Sequence, residues 1–394
     1  MLPRNDVRRF RKQLLGWFRQ FQRDLPWRRT KDPYRVWLSE IMLQQTRVAA
    51  VIPYYQRFLE RFPDVNALAA APQEEVLRLW SGLGYYSRAR NLRHAAQQIV
   101  AKYGGAFPCG EEDALELPGI GSYTAAAILS IAYGAKHAVL DGNVARVLAR
   151  IFAVYGDLRD AKRWQGLQKQ AGALLDPKSP GDWNQAMMEL GATLCRPRAP
   201  QCLLCPVAQF CRAHKLGLAE SLPAKRKKRA TEQIMLASAV LVDPLGHTLL
   251  LPPSAGQAHP SRNEVSGLAS KMWHFPTVAV QRNAEEELLG YLRELSRSLA
   301  KTRELALRPV VTVRHAVTYR AITIHIFYAK VDPLPHISDA KAVSLADLSE
   351  HASLAISNLT RKIACAALAN TAASAADRPE ALSFAQPGSP SIRP

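Results

Sequence analysis

Four cysteines fall within 17 residues, at Cys195, Cys202, Cys205 and Cys211, spaced C-x6-C-x2-C-x5-C. No other stretch limits the folding of the chain so tightly, because thiols at that density converge on a common site. Six cysteines in 394 residues are too few for a disulfide scaffold, and Cys109 and Cys365 stand apart as structural residues. Zinc ribbons bring two close pairs, whereas this loop has one pair and two outliers. The spacing leans towards a [4Fe-4S] cluster and leaves zinc open. A closed set of four ligands offers no position to substrate, so it reads as a staple shaping a loop that carries Arg196, Arg198 and Arg212. Redox sensing is the lesser reading.

The staple sits in a basic chain. Lysine and arginine number 52 against 33 acids, a formal net charge of +19, which favours a polyanionic partner, nucleic acid ahead of an anionic membrane surface. Of these, 31 basic and 18 acidic residues lie in 1–217, so the positive field is concentrated there. A chain 48% hydrophobic and 22% charged is globular rather than disordered or fibrous, and its length suits two domains. No run of about 18 apolar residues could span a bilayer, and the opening MLPRNDVRRFRKQ lacks the apolar stretch of a secretory signal. The expectation is a cytoplasmic, bacterial-type, nucleoid-associated monomer with no membrane partner.

Residues 1–217 read as helix after helix, beginning with Asp6–Gln22 and a second opened by Asp32-Pro33, where Asp accepts orphan NH groups and Pro has none to waste. This region is predicted to be all-α. Residues 218–233, with a proline, few apolar anchors and five consecutive basic residues from Lys225 to Arg229, read as a linker. The basic run serves either phosphate contact or a solvated tether. From 234 to 368 the pattern turns to short β-rich runs around a helical stretch from Ala284 to Leu299, predicting a small α+β domain. Residues 369–394, rich in Ala, Ser and Pro, are predicted to be a disordered tail.

Within the helical half, Leu117-Pro118-Gly119-Ile120-Gly121 separates helical segments at Asp113–Leu117 and Ser122–Tyr133. Glycines permit a tight turn there, and the second helix turns its free NH groups and positive dipole end outward, a grip for a backbone phosphate. A lone Pro-Gly turn is a weak signal. Followed by Leu140-Asp141-Gly142-Asn143 and then the four-cysteine loop, it is a strong one. That ordered set resembles the endonuclease III superfamily of helix-hairpin-helix DNA glycosylases. The stretches Trp37-Leu38-Ser39-Glu40-Ile41-Met42-Leu43-Gln44-Gln45-Thr46 and Gly82-Leu83-Gly84-Tyr85-Tyr86-Ser87-Arg88-Ala89-Arg90 are similar to its adenine DNA glycosylase branch, MutY. The likeness covers about residues 8–215.

Breaking a purine N-glycosidic bond needs a proton for the leaving base and an anion beside the increasingly cationic sugar. The resemblance implies Glu40 as the general acid and Asp141 as the sugar-side anion. Residue types agree: burial among Trp37, Leu38, Ile41 and Leu43 would raise the Glu40 pKa, while the helix start after Asp141 favours its ionised form. Duller explanations are a solvated helix face for Glu40 and a plain N-cap for Asp141. Tyr123 occupies the position where lyase-competent relatives carry a Schiff-base lysine, so the resemblance implies base removal without strand cleavage. It further implies that Asn143 orients sugar-side groups and that Trp27, Arg28, Leu43 and Glu189 line the adenine pocket. Trp27 could equally be simple packing, and Glu189 a helix surface residue.

A base inside a duplex must be turned out before attack. The resemblance assigns Gln44 and Tyr85 as wedges, flanked by Gln45 and Thr46, with Thr46 also expected to be the N-cap of the following helix. Gly119 and Gly121 would hold phosphate through backbone NH groups. The domain at 234–368 loosely resembles the Nudix-like lesion reader of the family: Trp273-His274-Phe275-Pro276 stands for Trp-Glu-Phe-Pro, and no acidic Nudix helix is present. Where family members carry Phe-Ser-His, this chain has Val317-Thr318-Tyr319, and Thr318 keeps the hydroxyl. The implied partner is double-stranded DNA with adenine opposite 8-oxoguanine or guanine. Rival readings are a bifunctional glycosylase/AP lyase for oxidised pyrimidines and a non-enzymatic iron-sulfur DNA-binding redox sensor.

Overall fold

A computed structural model describes residues 2–224, 229–253, 272–296, 305–350 and 353–376. The chain divides into two compact units, Met1–Lys228 and Arg229–Pro394. The first is helical: α1 (Arg4–Phe21), α2 (Pro33–Leu43), α3 (Val48–Arg61), α4 (Val65–Ala70), α5 (Gln73–Trp80), α6 (Ser87–Tyr103), α7 (Glu111–Glu116), α8 (Ser122–Tyr133), α9 (Gly142–Phe152), α10 (Ala161–Leu174), α11 (Pro180–Thr193) and the short α12 (Arg212–Lys215). The Asp32 side chain accepts from the Arg35 amide at 2.8 Å with Pro33 at the first helical position, the start that the Asp-Pro pair predicts. Thr46 is not a helix cap. The α3 N-cap is Arg47, with no side-chain bond, and the Thr46 hydroxyl is spent on the Gln44 carbonyl at 3.2 Å.

Two packings build this unit. Aromatic rings of α3 and α5 interlock, with Phe58 against Phe62 at 4.9 Å and Trp80 at 5.9 Å, and Trp37 of α2 packs against Phe107 at 5.7 Å. Apolar faces of α1, α9, α10 and α11 close a second core around Phe10, Leu14, Val147, Leu148 and Trp183. Helix α8, apolar almost all round, packs on α2 and on α11. Gly181 and Gly191 are required for close helix approach: a Cβ on Gly191 would stand 2.7 Å from that of Asn143. The first part of the expected linker belongs to this unit, because Leu222 is buried and its carbonyl accepts from Arg150 Nε at 2.8 Å.

The second unit holds a mixed sheet of β1 (Glu232–Val242), β2 (His247–Leu250), β3 (Thr277–Ala279), β4 (Arg308–Val317), β5 (Arg320–Lys330) and β6 (Lys341–Ser344), with α13 (Ala284–Leu295), α14 (Asp347–Glu350) and α15 (Asn358–Ala376). Strand order is β4-β5-β1-β2-β6, with β3 also paired to β1 and β1 parallel to β5. Alternation sorts the faces: Leu236, Val240, Ile322 and Ile324 pack with Ile363 and Ala367 of α15, while Ala237, Leu241 and Phe327 pack with Leu288 and Leu292 of α13. Strand β1 begins at Glu232, two residues inside the expected linker. The expected disordered tail is corrected too: residues 369–376 continue α15. Its remainder, the linker residues 225–228 and the end of the expected helix at 297–299 lie outside the described residues.

Candidate active site

A cavity of about 480 Å³ opens where α2 and α8 face the start of α9 and the flank of α11. Its lining contains Trp27, Arg28, Glu40, Leu43, Gln44, Gln45, Thr46, Tyr123, Asp141, Asn143 and Glu189. Glu40 and Asp141, a hundred residues apart in sequence, thus share one space. Glu40 is only 6% exposed. Burial drives its carboxyl up to about 7, against the Tyr123 hydrogen bond and the Arg28 charge that pull it down; the negative charge of Asp141 adds to the rise. The Tyr123 hydroxyl donates to Glu40 Oε2 at 2.6 Å, and burial beside these carboxylates keeps the phenol well above its ordinary value.

Asp141 is the N-cap of α9, accepting the Val144 amide on Oδ1 at 2.7 Å. Its Oδ2 accepts from Asn143 Nδ2 at 2.9 Å, and Asn143 Oδ1 accepts from Arg146 Nη2 at 3.0 Å. Capping and facing the cavity are therefore one geometry. Glu189, fully buried, is no surface residue: Arg23 and Arg28 each donate to its Oε2 at 2.7 Å. Burial pushes this carboxyl up, and the two arginines outweigh burial and bring it down to about 2. Two carboxylates facing the same cavity are therefore held apart, one near neutrality and the other far below it. Trp27 is both packing and lining, edge-on to Tyr55 at 5.4 Å.

A second depression, about 260 Å³, is lined by Gln44, Gln45, Tyr85, Arg88, Asn91, Pro118 and Gly119, among others. Tyr85 is 43% exposed and is not a core residue. Gly119 turns the α7–α8 hairpin at φ +82°, where a Cβ would meet that of Asn91 at 3.0 Å. Gly121 is the N-cap of α8 with no side-chain bond, so the amides of that first turn stay available. Thr318 lies in the other unit, at the β4–β5 turn with φ +56°, its hydroxyl bonded to the Val317 carbonyl at 2.7 Å. Beside it the Tyr319 ring carries the Arg229 guanidinium at 3.7 Å and that of Arg320 at 5.4 Å.

Cys195 follows the end of α11, its amide bonded to the Leu190 carbonyl at 2.7 Å, and Cys202, Cys205 and Cys211 sit on or just after two short 3-10 turns, Cys202–Leu204 and Ala208–Phe210. The charge of Cys195 bears on each of the other three thiols, so the four sulfurs form one neighbourhood. Arg150, 1% exposed, donates to Cys195 Sγ at 3.2 Å and to the Arg196 carbonyl at 2.8 Å. An all-thiol donor set held by tight turns suits a thiophilic metal group. Among the described residues, no group of three or more His, Cys, Asp and Glu side chains is gathered for a single ion. Arg196, Arg198 and Arg212 are exposed around the loop.

Sequence reasoning passed over several residues. Arg23 carries no motif, since its partner lies 166 positions away. Gln185 and Met188 share the helical spacing of Glu189 and Ala192 on the lining face of α11, a periodicity that could have named them. Arg146, one turn beyond Asn143, also donates to the Cys195 carbonyl at 2.9 Å.

Residues 38–169 match the HhH-GPD superfamily of base excision DNA repair proteins. The chain is 35% identical over 400 residues to the adenine DNA glycosylase of Mus musculus, covering 91% of this chain and 78% of that one. With the Homo sapiens protein of the same name it shares 36% identity, covering 82% and 67%. The structure of a thermostable thymine-DNA glycosylase aligns with a TM-score of 0.50 at 29% identity, over 54% of this chain and 98% of that chain. No described helix is long and apolar enough to cross a membrane.

Proposed function

The chain belongs to the adenine DNA glycosylase family of base excision repair, and from this we propose that it excises adenine mispaired with 8-oxoguanine or guanine by hydrolysis, leaving an abasic site. The observation that carries the reading is the pair of carboxyls in one cavity: Glu40, pushed to about 7, and Asp141, held by an amide and by Asn143.

Glu40 is protonated in part at neutral pH, as a general acid for the leaving base requires. Tyr123 holds the carboxyl through Oε2 and leaves Oε1 free to deliver the proton. Asp141 receives two donors on its two oxygens and faces the deoxyribose as an anion. Trp27, Leu43 and the Arg28–Glu189 pair shape and polarise the pocket that takes the extruded adenine. Gln44 and Tyr85, flanked by Gln45 and Thr46, fill the gap in the duplex, while the amides at Gly119 and Gly121 take a backbone phosphate. Tyr123 offers a phenol already engaged with Glu40 and no amine, so no imine forms and the strand stays intact. The four cysteines hold a [4Fe-4S] cluster that serves as a structural staple for the loop bearing Arg196, Arg198 and Arg212. The second unit, a Nudix-like lesion reader, presents Thr318 towards the base opposite adenine.

Single-turnover assays on duplexes with adenine opposite 8-oxoguanine, guanine and thymine test this reading. Base loss that becomes a nick only after alkali supports it, and a nick at neutral pH from pure protein overturns the monofunctional assignment. Glu40→Gln with retained binding and no base release supports the acid role. Iron and acid-labile sulfide in stoichiometric amount test the cluster.

A further inference from the structure

Two exposed residues at the smaller depression sit on backbone that resists them. Gln45 has φ +56° and Tyr85 φ +50°, the left-handed region, which costs a non-glycine residue about 1 kcal/mol or more. Between the two turns lies one buried cation, Arg88, the second residue of α6 and 9% exposed.

Its Nη1 is within hydrogen-bonding distance of the carbonyls of Ile41 at 2.8 Å, Met42 at 2.9 Å and Gln44 at 2.5 Å, at the end of α2. These are carbonyls that a helix terminus leaves without partners. Nη2 reaches the Gly84 carbonyl at 3.1 Å and the Thr46 hydroxyl at 3.1 Å. The face of the guanidinium lies 5.5 Å from the Trp80 ring and 5.4 Å from the Tyr85 ring. One planar group thus fastens the turn that presents Gln44 and Gln45 to the turn that presents Tyr85. A lysine, with a single nitrogen, cannot reach both.

We propose that Arg88 is a positioning residue for base extrusion, locking the Gln44–Gln45 and Tyr85 turns in one fixed relation so that both enter the duplex together. This rests on the wedge reading of Gln44 and Tyr85 and goes beyond it, because Arg88 itself neither lines the cavity that holds Glu40 and Asp141 nor bonds either carboxyl. It makes extrusion, rather than glycosidic chemistry, the step that Arg88 governs. Preorganised turns lose no conformational freedom when the duplex opens; unlocked ones would relax from the left-handed region and have to be restored each time.

The test is Arg88→Lys in the full chain, with 2-aminopurine replacing the target adenine to report unstacking and single-turnover release measured across pH. The expected result has three parts. Duplex affinity stays within about threefold, the fluorescence rise on binding is largely lost, and release slows roughly tenfold or more, with the pH limb near 7 unmoved. A full fluorescence rise, or a moved limb, overturns the proposal, as does a loss of binding in proportion to rate, which marks a merely structural residue. Gln44→Ala and Tyr85→Ala separate the two readings. If they keep the rise, the wedge reading fails and this proposal with it; if they lose it while Arg88→Lys keeps it, the Arg88 assignment alone fails. Should Arg88→Lys not fold, Thr46→Val removes one of its acceptors and is expected to show the same signature in weaker form, and an unchanged rise there counts against the proposal.

Discussion

The hydroxyl of Tyr123 donates a 2.6 Å hydrogen bond to Oε2 of Glu40. A phenol so placed favours the ionised carboxyl, and it opposes the burial that drives Glu40 upward. The acid of the reaction is thereby held near neutrality instead of above it. Helix α8 supplies the phenol and α2 the carboxyl, so the balance depends on how those two helices pack.

Tyr123→Phe keeps the ring and removes the donor. Glu40 loses a stabilising contact for its charged form, so its pKa rises. The limb of base release that requires protonated Glu40 is expected to move to higher pH by about one unit. A pH profile of single-turnover release reads this directly. A limb that stays in place or moves to lower pH would show that the hydrogen bond does not tune the acid.

Glu189 joins Arg23 and Arg28 in the lining of the same cavity. Removing one partner of a buried ion pair leaves an uncompensated charge, and Glu189→Ala is expected to destabilise the helical unit by about 3 kcal/mol. Its carboxyl lies near 2 in the folded protein against an ordinary 4.5, so this stabilisation is full above about 4.5 and is lost as pH falls towards 2. The difference between the thermal melts of the two proteins should therefore shrink from pH 7 to pH 3 without closing. Parallel curves would disprove the linkage.

Glu40 was legible because its apolar neighbours predict burial, and Asp141 because an Asp-Gly-Asn before an apolar run is a helix start. Their meeting was not legible, since it depends on the packing of α2 and α8 against α9 and α11. The role of Arg88 was hidden for a different reason: its acceptors are mostly backbone carbonyls, which leave no trace in residue identity. Thr46 misled because a hydroxyl before a helix has two local uses, and here it bonds the Gln44 carbonyl behind it. Residues 369–376 read as tail because they lack an apolar face. Alanine-rich sequence nonetheless extends a helix whose earlier turns, at Ile363 and Ala367, are anchored in the core.

Gly191 controls how closely α11 approaches Asn143. The methyl of Gly191→Ala would stand 2.7 Å from Asn143 Cβ and 3.1 Å from its carbonyl oxygen. Overpacking of this kind costs about 1–3 kcal/mol, and it displaces the side chain that donates to Asp141. Release should slow more than stability falls. Gly121→Ala is the contrast, because a Cβ there meets nothing within 4 Å and the melting temperature should be unchanged. Comparing Tm with single-turnover rate for both variants decides the point; equal rates in the two would remove Asn143 from the mechanism.

Glu40→Gln separates function from stability. Between its ordinary value of 4.5 and about 7, the folded protein retains a proton that the unfolded chain releases. Stability therefore declines as pH rises through that window, and above it the fold carries a buried charge. A glutamine has no charge to bury and can still accept from the Tyr123 hydroxyl. The variant is expected to release no base, yet at pH 8 to be more stable than the parent by about 2 kcal/mol, with the difference vanishing at pH 4. Denaturant unfolding at the two pH values checks it. If the parent is as stable as the variant at pH 8, the carboxyl is not the strained acid that the cavity implies, whatever its effect on base release.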